Sequence, residues 1–417
     1  MKKNGGCKIL YISYDGMCDP LGQSQVIPYL VGLSQRGHSI TIVSTEKEHH
    51  FRLLEKKIGG LLAQEKIAWW PVRFSNRITG WSAIQNYRRL RAECMRLSRS
   101  GSFDLVHARS DVPALIGLEL KKKYGTRLIF DLRGFWADER AEGGSWNLSN
   151  PAYRIVYHFF RKKEKQLLKK SDAVVSLTQK GKEEIIRREQ GNVSPEKIVV
   201  IPCCTDLRFF SRESISAGQR IQWQQKLGLA PDDFVLSYSG SLGTWYLAEE
   251  MLQFFSLLLK RKPQSKFLFI TTSPTEKLFL QAARSGIAES KMITVAAQRD
   301  EMPLLLSLAS VSVFFIKNSY SKIASCPTKL GELMALGIPV ISNAGVGDVK
   351  EMLEETGAGD CLTDFSEQEM NRVLDRLEEL LAVSKEKIRH GAEQWFSLES
   401  GIEQYHHIYS LITSGDD

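Results

Sequence analysis

The stretch SCPTKLGELMALGIPV, residues 325–340, places a lysine and a glutamate three positions apart at the start of a run with helical spacing. On a helix that interval means one face, so Lys329 and Glu332 are neighbours. Pro327 and Thr328 suit a helix start, the threonine hydroxyl being free to cap or to touch a phosphate, and Gly337 ends the run before the apolar IPVIS. The first turn, Thr328, Lys329 and Leu330, leaves backbone N–H groups without intrahelical acceptors. The helix dipole there favours an anion, and Lys329 adds a full charge. Glu332, one turn deeper, would accept hydrogen bonds from two neighbouring ribose hydroxyls. The chemistry of such a set is recognition of a nucleoside diphosphate. The competing reading is a surface i,i+3 ion pair worth ~0.2–0.5 kcal/mol.

Two further turns have phosphate-binding character. YDGMCDPLGQSQ follows an apolar run and carries Gly16 and Gly22, with Gly22 and Gln23 just ahead of an amphipathic stretch. Glycine there lets a ligand approach the backbone and leaves helix N–H groups open to an anion. SYSGSLGTWYLAEEML (237–252) repeats the arrangement, offering the amides around Gly240, Ser241 and Gly243 to a diphosphate. Neither is the GxGxxG fingerprint of nicotinamide or flavin binding, and each is also compatible with an ordinary connecting turn. A third polar group gathers behind two other apolar runs: His107 and Arg109 end DLVHAR, and DLRGFWADERAEGG (131–144) supplies Arg133, Asp138 and Glu139. Polar groups massed at the ends of two adjacent strands suit a reacting site, since open α/β sheets bind ligands there. His107 taken alone is equally a satisfied structural histidine.

The elements that must position these residues alternate short apolar strands with amphipathic helices. In the first half the spacing predicts strands at 8–14, 39–44, 104–107, 127–131 and 173–177; a second series follows at 234–240, 266–272, 292–297, 311–317 and 338–343. Such alternation implies two doubly wound parallel sheets, and open α/β sheets bind ligands at the carboxyl ends of their strands. The predicted organisation is a first Rossmann-like domain over 1–200, a linker at 201–215, a second domain over 216–394 and a terminal helix at 395–417.

Bulk properties exclude several classes. With 417 residues, 43% hydrophobic and 25% charged, the chain has the make-up of a globular enzyme of two or three domains. The longest later apolar stretch, PLLLSLASVSVFFI (303–316), falls short of the roughly 20 residues of a membrane span. The lysines at 2 and 3 precede a run too short for a signal peptide, and KILYISY reads as the first strand. Seven cysteines without CxxC spacing predict neither a zinc site nor a disulfide framework and fit a reducing cytosol. A net charge of +8 favours an anionic partner. The arginine-rich helix at 86–99, with Ile84, Tyr87, Leu90, Cys94 and Leu97 on one side, and the lysine-rich one at 159–170 read as solvated faces or as a peripheral contact with anionic lipid. No nucleic-acid module is recognised.

Taken in order, DPLGQSQ, FDLVHARS, IPCCTDLRFF, YSGSLG and PTKLGELMALGIPVIS resemble the retaining glycosyltransferases of family four, of the glycosyl transferase group 1 type. The likeness covers essentially the whole chain, and its most specific part is PTKxxExxAxGxPVI. It implies the GT-B fold, two facing Rossmann-like domains with a cleft between them and a last helix that packs back on the first domain. It implies a hexosyl- or N-acetylhexosaminyl-transferase that takes its sugar from a nucleoside diphosphate, with UDP the expected carrier and no further cofactor or metal. The acceptor would be a glycan or lipid-linked hydroxyl of cell-envelope polysaccharide synthesis, met in the cytoplasm or at the inner membrane face. Lys329 would lie near the donor diphosphate, Glu332 on the ribose, Gly22 beside the phosphates from the first domain and the 239–243 loop beneath them.

Two departures stand out. Many members carry a glutamate eight positions before Glu332, where this chain has Ala324, and Ser241 and Tyr246 stand near the place of a usual Arg and Lys. The alternatives are a sugar-nucleotide epimerase or hydrolase of the same fold and a non-catalytic partner subunit.

Overall fold

The computed structural model of the chain describes residues 6–75 and 81–414. The lysines at 2 and 3 and the end of the polar tail lie outside the described residues. The chain forms two compact units, Met1–Pro202 with Leu398–Asp417, and Cys203–Ser397.

The first unit is built on seven parallel strands, β1 (Lys8–Ser13), β2 (Ser39–Glu46), β3 (Ala68–Arg73), β4 (Leu105–Arg109), β5 (Arg127–Asp131), β6 (Ala173–Ser176) and β7 (Ile198–Val200). Their spatial order is β3-β2-β1-β4-β5-β6-β7, so the order reverses between β1 and β4. The interior strands β4 and β6 are buried along their whole length, as continuous apolar runs covered on both faces must be. The expected strands at 8–14, 39–44, 104–107, 127–131 and 173–177 are all present, and β3 and β7 are additions at the two edges.

The second unit has six parallel strands, β8 (Val235–Ser239), β9 (Lys266–Ile270), β10 (Met292–Val295), β11 (Val311–Val313), β12 (Val340–Asn343) and β13 (Gly359–Leu362), in the order β10-β9-β8-β11-β12-β13. Again the order reverses, between β8 and β11, and ligands of open α/β sheets gather at such switch points. Its core is aromatic, with Phe254, Phe255, Phe267, Phe269, Phe314 and Phe315 fully buried.

From Cys203 onward the stretch read as a linker belongs to this second unit. It is held there by Arg389, which donates to the Leu207, Phe210 and Ala335 carbonyls, and by the burial of Phe210. The last helix, Leu398–Thr413, belongs to the first unit: Ile402 packs on Gly32, Arg36 pairs with Glu399 and Glu403, and His38 bonds His406. Of the arginine-rich helix's apolar side, Leu90, Cys94 and Leu97 are buried as expected, but Ile84 is exposed. Every described cysteine is free, and among the described residues no helix is long and apolar enough to cross a membrane.

Candidate active site

Helix Thr328–Ala335 forms where the sequence places it, with Pro327 as N-cap and Leu330, Leu333 and Met334 anchoring its inner face in the core. That anchoring fixes Lys329. Its side chain is only 7% exposed, and Nζ has no hydrogen-bond partner. The ammonium lies instead among ring faces, 3.8 Å from the Tyr246 centroid, 4.5 Å from Tyr238 and 5.6 Å from Phe314. Cation–π attraction offsets part of the desolvation. Burial nonetheless pushes the Lys329 pKa down to about 7, with Glu332 pulling the other way. A buried cation without an anion is costly, and a ligand phosphate would relieve it.

Glu332 is half-buried one turn along, where Arg299 Nη1 lies 3.4 Å from its Oε1. Burial raises its pKa, against the pull of Arg299 and Lys329. Arg299 itself lies over the Phe209 and Phe210 rings. Thr328 is half-buried at the first helical position and makes no side-chain cap. Leu330 is wholly buried and its N–H goes to the Pro327 carbonyl at 3.1 Å, so its place is in the core rather than on a ligand.

The loop after β8 closes over the lysine. Gly240 takes φ +132°, and a Cβ there would come within 2.8 Å of Lys329 Nζ; only glycine permits that approach. Its N–H bonds the Ile270 carbonyl, and the Leu242 N–H bonds Ser273 Oγ. Both amides are therefore engaged within the protein, so of the amides around Gly240, Ser241 and Gly243 expected to meet a diphosphate, that of Gly240 is already bonded. The Ser241 carbonyl accepts from Tyr238 O–H at 2.5 Å, and Gly243 bridges Tyr246 with φ +150°. The position of the missing family glutamate, Ala324, is buried in the turn Tyr320–Ala324, and Lys322 in the same turn lies 3.7 Å from the Trp245 ring centroid. Neither Arg299 nor Lys322 was singled out from the sequence. Both sit in segments without a motif and are recruited by aromatic partners distant in the chain.

In the first unit a compact ionic cluster sits at the carboxyl ends of β1, β4 and β5. Asp131 lies 3.5 Å from His107 Nε2, 3.4 Å from Arg133 Nη1 and 3.9 Å from Arg109 Nη1, and Arg109 Nε reaches Asp15 at 3.2 Å. Burial alone would raise the Asp131 pKa, but Arg133, His107 and Arg109 together hold it well below the usual carboxylate range. Ser110, directly after β4, has φ +70°, and its N–H bonds the Asp131 carbonyl at 2.8 Å. A non-glycine residue in that region is strained and is a signal that sequence reading could not supply.

His107 is 2% exposed, packed against Tyr11 and Tyr405, with Nδ1 2.7 Å from the Tyr409 hydroxyl. Enclosed in this way it positions Asp131 and presents no nitrogen to a solute. Asp138 is similarly occupied: Oδ1 accepts from Tyr157 O–H at 2.7 Å and Oδ2 from Arg161 at 3.0 Å. The long loop expected after β5 is in part a helix, Trp136–Glu142, with half-buried Glu139 in its first turn. Arg133 and Glu139 are thus the half-buried members of the predicted first-domain set.

The loop after β1 corrects the sequence reading. Helix Pro20–Gln25 begins before Gly22, so Gly22 lies inside it, and a Cβ there would meet the Gly16 carbonyl at 2.1 Å. Glycine is required for the chain to pass itself, and Gln23 Nε2 donates to the Cys18 carbonyl. The loop is tied down by Glu46, which accepts from the Met17 and Cys18 N–H groups, and by Asp19, paired with Lys47 and His50. Among the described residues no group of three or more His, Cys, Asp or Glu side chains could hold a metal ion.

Two doubly wound parallel sheets, each with polar side chains at its switch point, define the GT-B class. The family profile described as Glycosyltransferase Family 4 matches residues 25–209, and that described as Glycosyl transferases group 1 matches residues 219–395. The chain belongs to this glycosyltransferase family and is a glycosyltransferase. Its fold is similar to that of sucrose-phosphate synthase from Thermosynechococcus elongatus (TM-score 0.73, 14% identity, 98% of this chain and 100% of that one). It is similar also to Anabaena HepE in complex with UDP and glucose (TM-score 0.71, 17% identity, 97% and 100%). A third likeness is to WaaG, a glycosyltransferase involved in lipopolysaccharide biosynthesis (TM-score 0.70, 15% identity, 98% and 100%). No curated protein gives a significant sequence match.

Proposed function

We propose that the protein transfers a hexosyl or N-acetylhexosaminyl group, with retention, from a nucleoside diphosphate sugar to a hydroxyl of a glycan or lipid-linked acceptor in cell-envelope polysaccharide synthesis. The observation that carries the donor half is the buried, unpartnered Lys329 ammonium at the carboxyl end of the second sheet. UDP is the carrier expected, in keeping with the HepE structures that contain UDP and UDP-glucose. WaaG, similar in fold, supports the envelope setting.

In this reading the diphosphate lies against Lys329 and the first turn of helix Thr328–Ala335, with Glu332 accepting from the ribose hydroxyls. As the glycosidic bond breaks, charge grows on the diphosphate, and a fixed cation and helix amides stabilise that charge more than the ground state. A glycosidase meets the same oxocarbenium-like transition state with two carboxylates. Here the leaving diphosphate takes the acceptor's proton, while Arg133 and Glu139 orient the acceptor side. No cofactor is required in this scheme.

The experiment is a thermal-shift panel of UDP, GDP, ADP and CDP followed by product analysis with the selected donor. The reading predicts a selective rise, ~2.7 kcal/mol of added stability at 100-fold over the dissociation constant. It also predicts an axial or equatorial anomeric product that matches the donor. An inverted product, or no response to any nucleotide, would contradict it.

A peripheral contact with anionic membrane is part of the proposal. Helix Pro151–Lys170 exposes Ile155 and Phe159 beside the exposed cations Arg154, Lys162 and Lys165, the composition of an interfacial helix. Sedimentation with vesicles containing anionic lipid, but not with zwitterionic ones, is expected, and Ile155→Glu should abolish it.

A further inference from the structure

At the end of the second sheet opposite Lys329, the chain forms a partly open cavity of about 280 Å³, with the exposed Lys385 at its rim. Its wall includes Val235, the first residue of β8, Ser310, just ahead of β11, and Pro339, just ahead of β12, all at amino ends of strands. Three cations line it: Arg212, Arg220 and Lys385. None of the three has an ion-pair partner among the described residues. Arg212 donates to the Leu336 carbonyl at 3.3 Å, and the buried Nε of Arg220 has no acceptor.

The charges oppose one another. Burial pushes Arg212 below its ordinary value, and Arg220 adds to the effect; Lys385 is pushed down by burial and then by Arg212 and Arg220. The acids nearby offset them only in part: Glu213 and Glu386 act on Arg212, and Glu386 on Lys385, without forming an ion pair, while Asp233, also on the wall, accepts from the Ala230 N–H. Elsewhere in the same unit the chain resolves such crowding with an acid, as where Arg372 and Arg376 share Asp360. Lys385 also opens helix Lys385–Phe396, whose positive dipole end lies at this rim.

We propose that this cavity is a second anion site, separate from the donor site, that takes a small phosphorylated solute. Its volume is near the lower end of the ~300–1,000 Å³ range of small-molecule pockets, which suits a phosphomonoester or a free diphosphate rather than a whole nucleotide sugar. The ligand's phosphate supplies the negative charge that Arg212, Arg220 and Lys385 lack, and Gln224, also on the wall, offers a neutral hydrogen-bonding group.

The test is titration of the full chain with inorganic pyrophosphate, read by calorimetry and melting temperature. Pyrophosphate would also enter the donor site, so the titration is made in a Lys329→Met background and compared with Lys329→Met/Arg220→Ala/Lys385→Ala. The site predicts binding and a rise in melting temperature in the first variant and at least a tenfold weaker dissociation constant in the second. Arg220→Ala/Lys385→Ala in the wild-type background should keep wild-type UDP affinity, which establishes its fold and separates this result from the donor reading. Absence of pyrophosphate binding in Lys329→Met, equal affinity in the triple variant, or loss of UDP binding in the double variant would each overturn the inference.

Discussion

At the carboxyl edge of the first sheet a buried aspartate is surrounded by His107, Arg109 and Arg133, while at that edge of the second sheet a buried lysine lies among ring faces with no hydrogen-bond partner and feels Glu332 only through space. The two sheets share a topology and a switch point, yet their charges are resolved in opposite ways. Asp131 is held ionised by its neighbours, and the cluster stabilises its unit. Lys329 is held near the point of losing its proton, and its ammonium lowers stability until an anion arrives. The paired charges of the first cluster read as positioning apparatus, and the lysine without a counter-ion in contact reads as a binding site.

The largest effect that tests this contrast is removal of Asp131. Asp131→Ala leaves Arg109 and Arg133 without their shared acid and should cost ~3–5 kcal/mol in denaturant unfolding; a loss under 1 kcal/mol would mean that the ion pairs do not stabilise the unit. Lys329→Met should have the opposite sign and stabilise the second unit by ~1–2 kcal/mol. The gain depends on pH in a definite direction. The lysine pKa is about 7 folded against its ordinary 10.5, so between those values the unfolded chain holds a proton that the folded one has released, and wild-type stability rises with pH. The advantage of Lys329→Met should therefore shrink from pH 7 to pH 10, and a constant difference would refute the depressed value.

Glu332→Ala should weaken UDP binding by ~1 kcal/mol through loss of the ribose contact, with little change in stability because Arg299 remains on its ring partners. An unchanged affinity would remove Glu332 from the site. The smallest effect concerns the terminal helix. His38, whose Nδ1 accepts from the Cys7 N–H and whose Nε2 meets His406, has its pKa pushed down to about 4 by burial, then by His406 and Arg36. A depressed folded value means stability that is full above the unfolded pKa near 6.5 and lost as pH falls toward 4. The first unit should thus soften over that window, and His38→Asn should flatten the dependence seen by circular dichroism.

Much of this was legible from the chain itself, and the omissions have a common cause. Interior strands announce themselves as unbroken apolar runs because both faces are covered. β3, β7 and β13, which were not foreseen, are all edge strands. β3 carries Pro71 and a mostly exposed pattern, and β13 opens on Gly359 and Asp360; edges tolerate such residues because one side needs no ladder partner. Helix Thr328–Ala335 was readable from its Pro start and Gly stop, and with it the place of Lys329. Its ring cage was not, since Tyr238, Tyr246 and Phe314 come from two other strand ends. Gly22 was visible as a glycine but was placed ahead of its helix rather than inside it, since its close neighbour in space, Gly16, could not be read from the chain.

The central claim is that Lys329 is a cation waiting for a diphosphate. Calorimetric titration of UDP into the wild type and Lys329→Met at pH 6, 7 and 8.5 tests it most directly. The account predicts that wild-type binding takes up a proton increasingly above pH 7 and weakens there, and that the folded, more stable Lys329→Met protein binds at least 30-fold less tightly, about 2 kcal/mol for a buried charge contact. Equal affinity in the two proteins, with no pH dependence in the wild type, would contradict it.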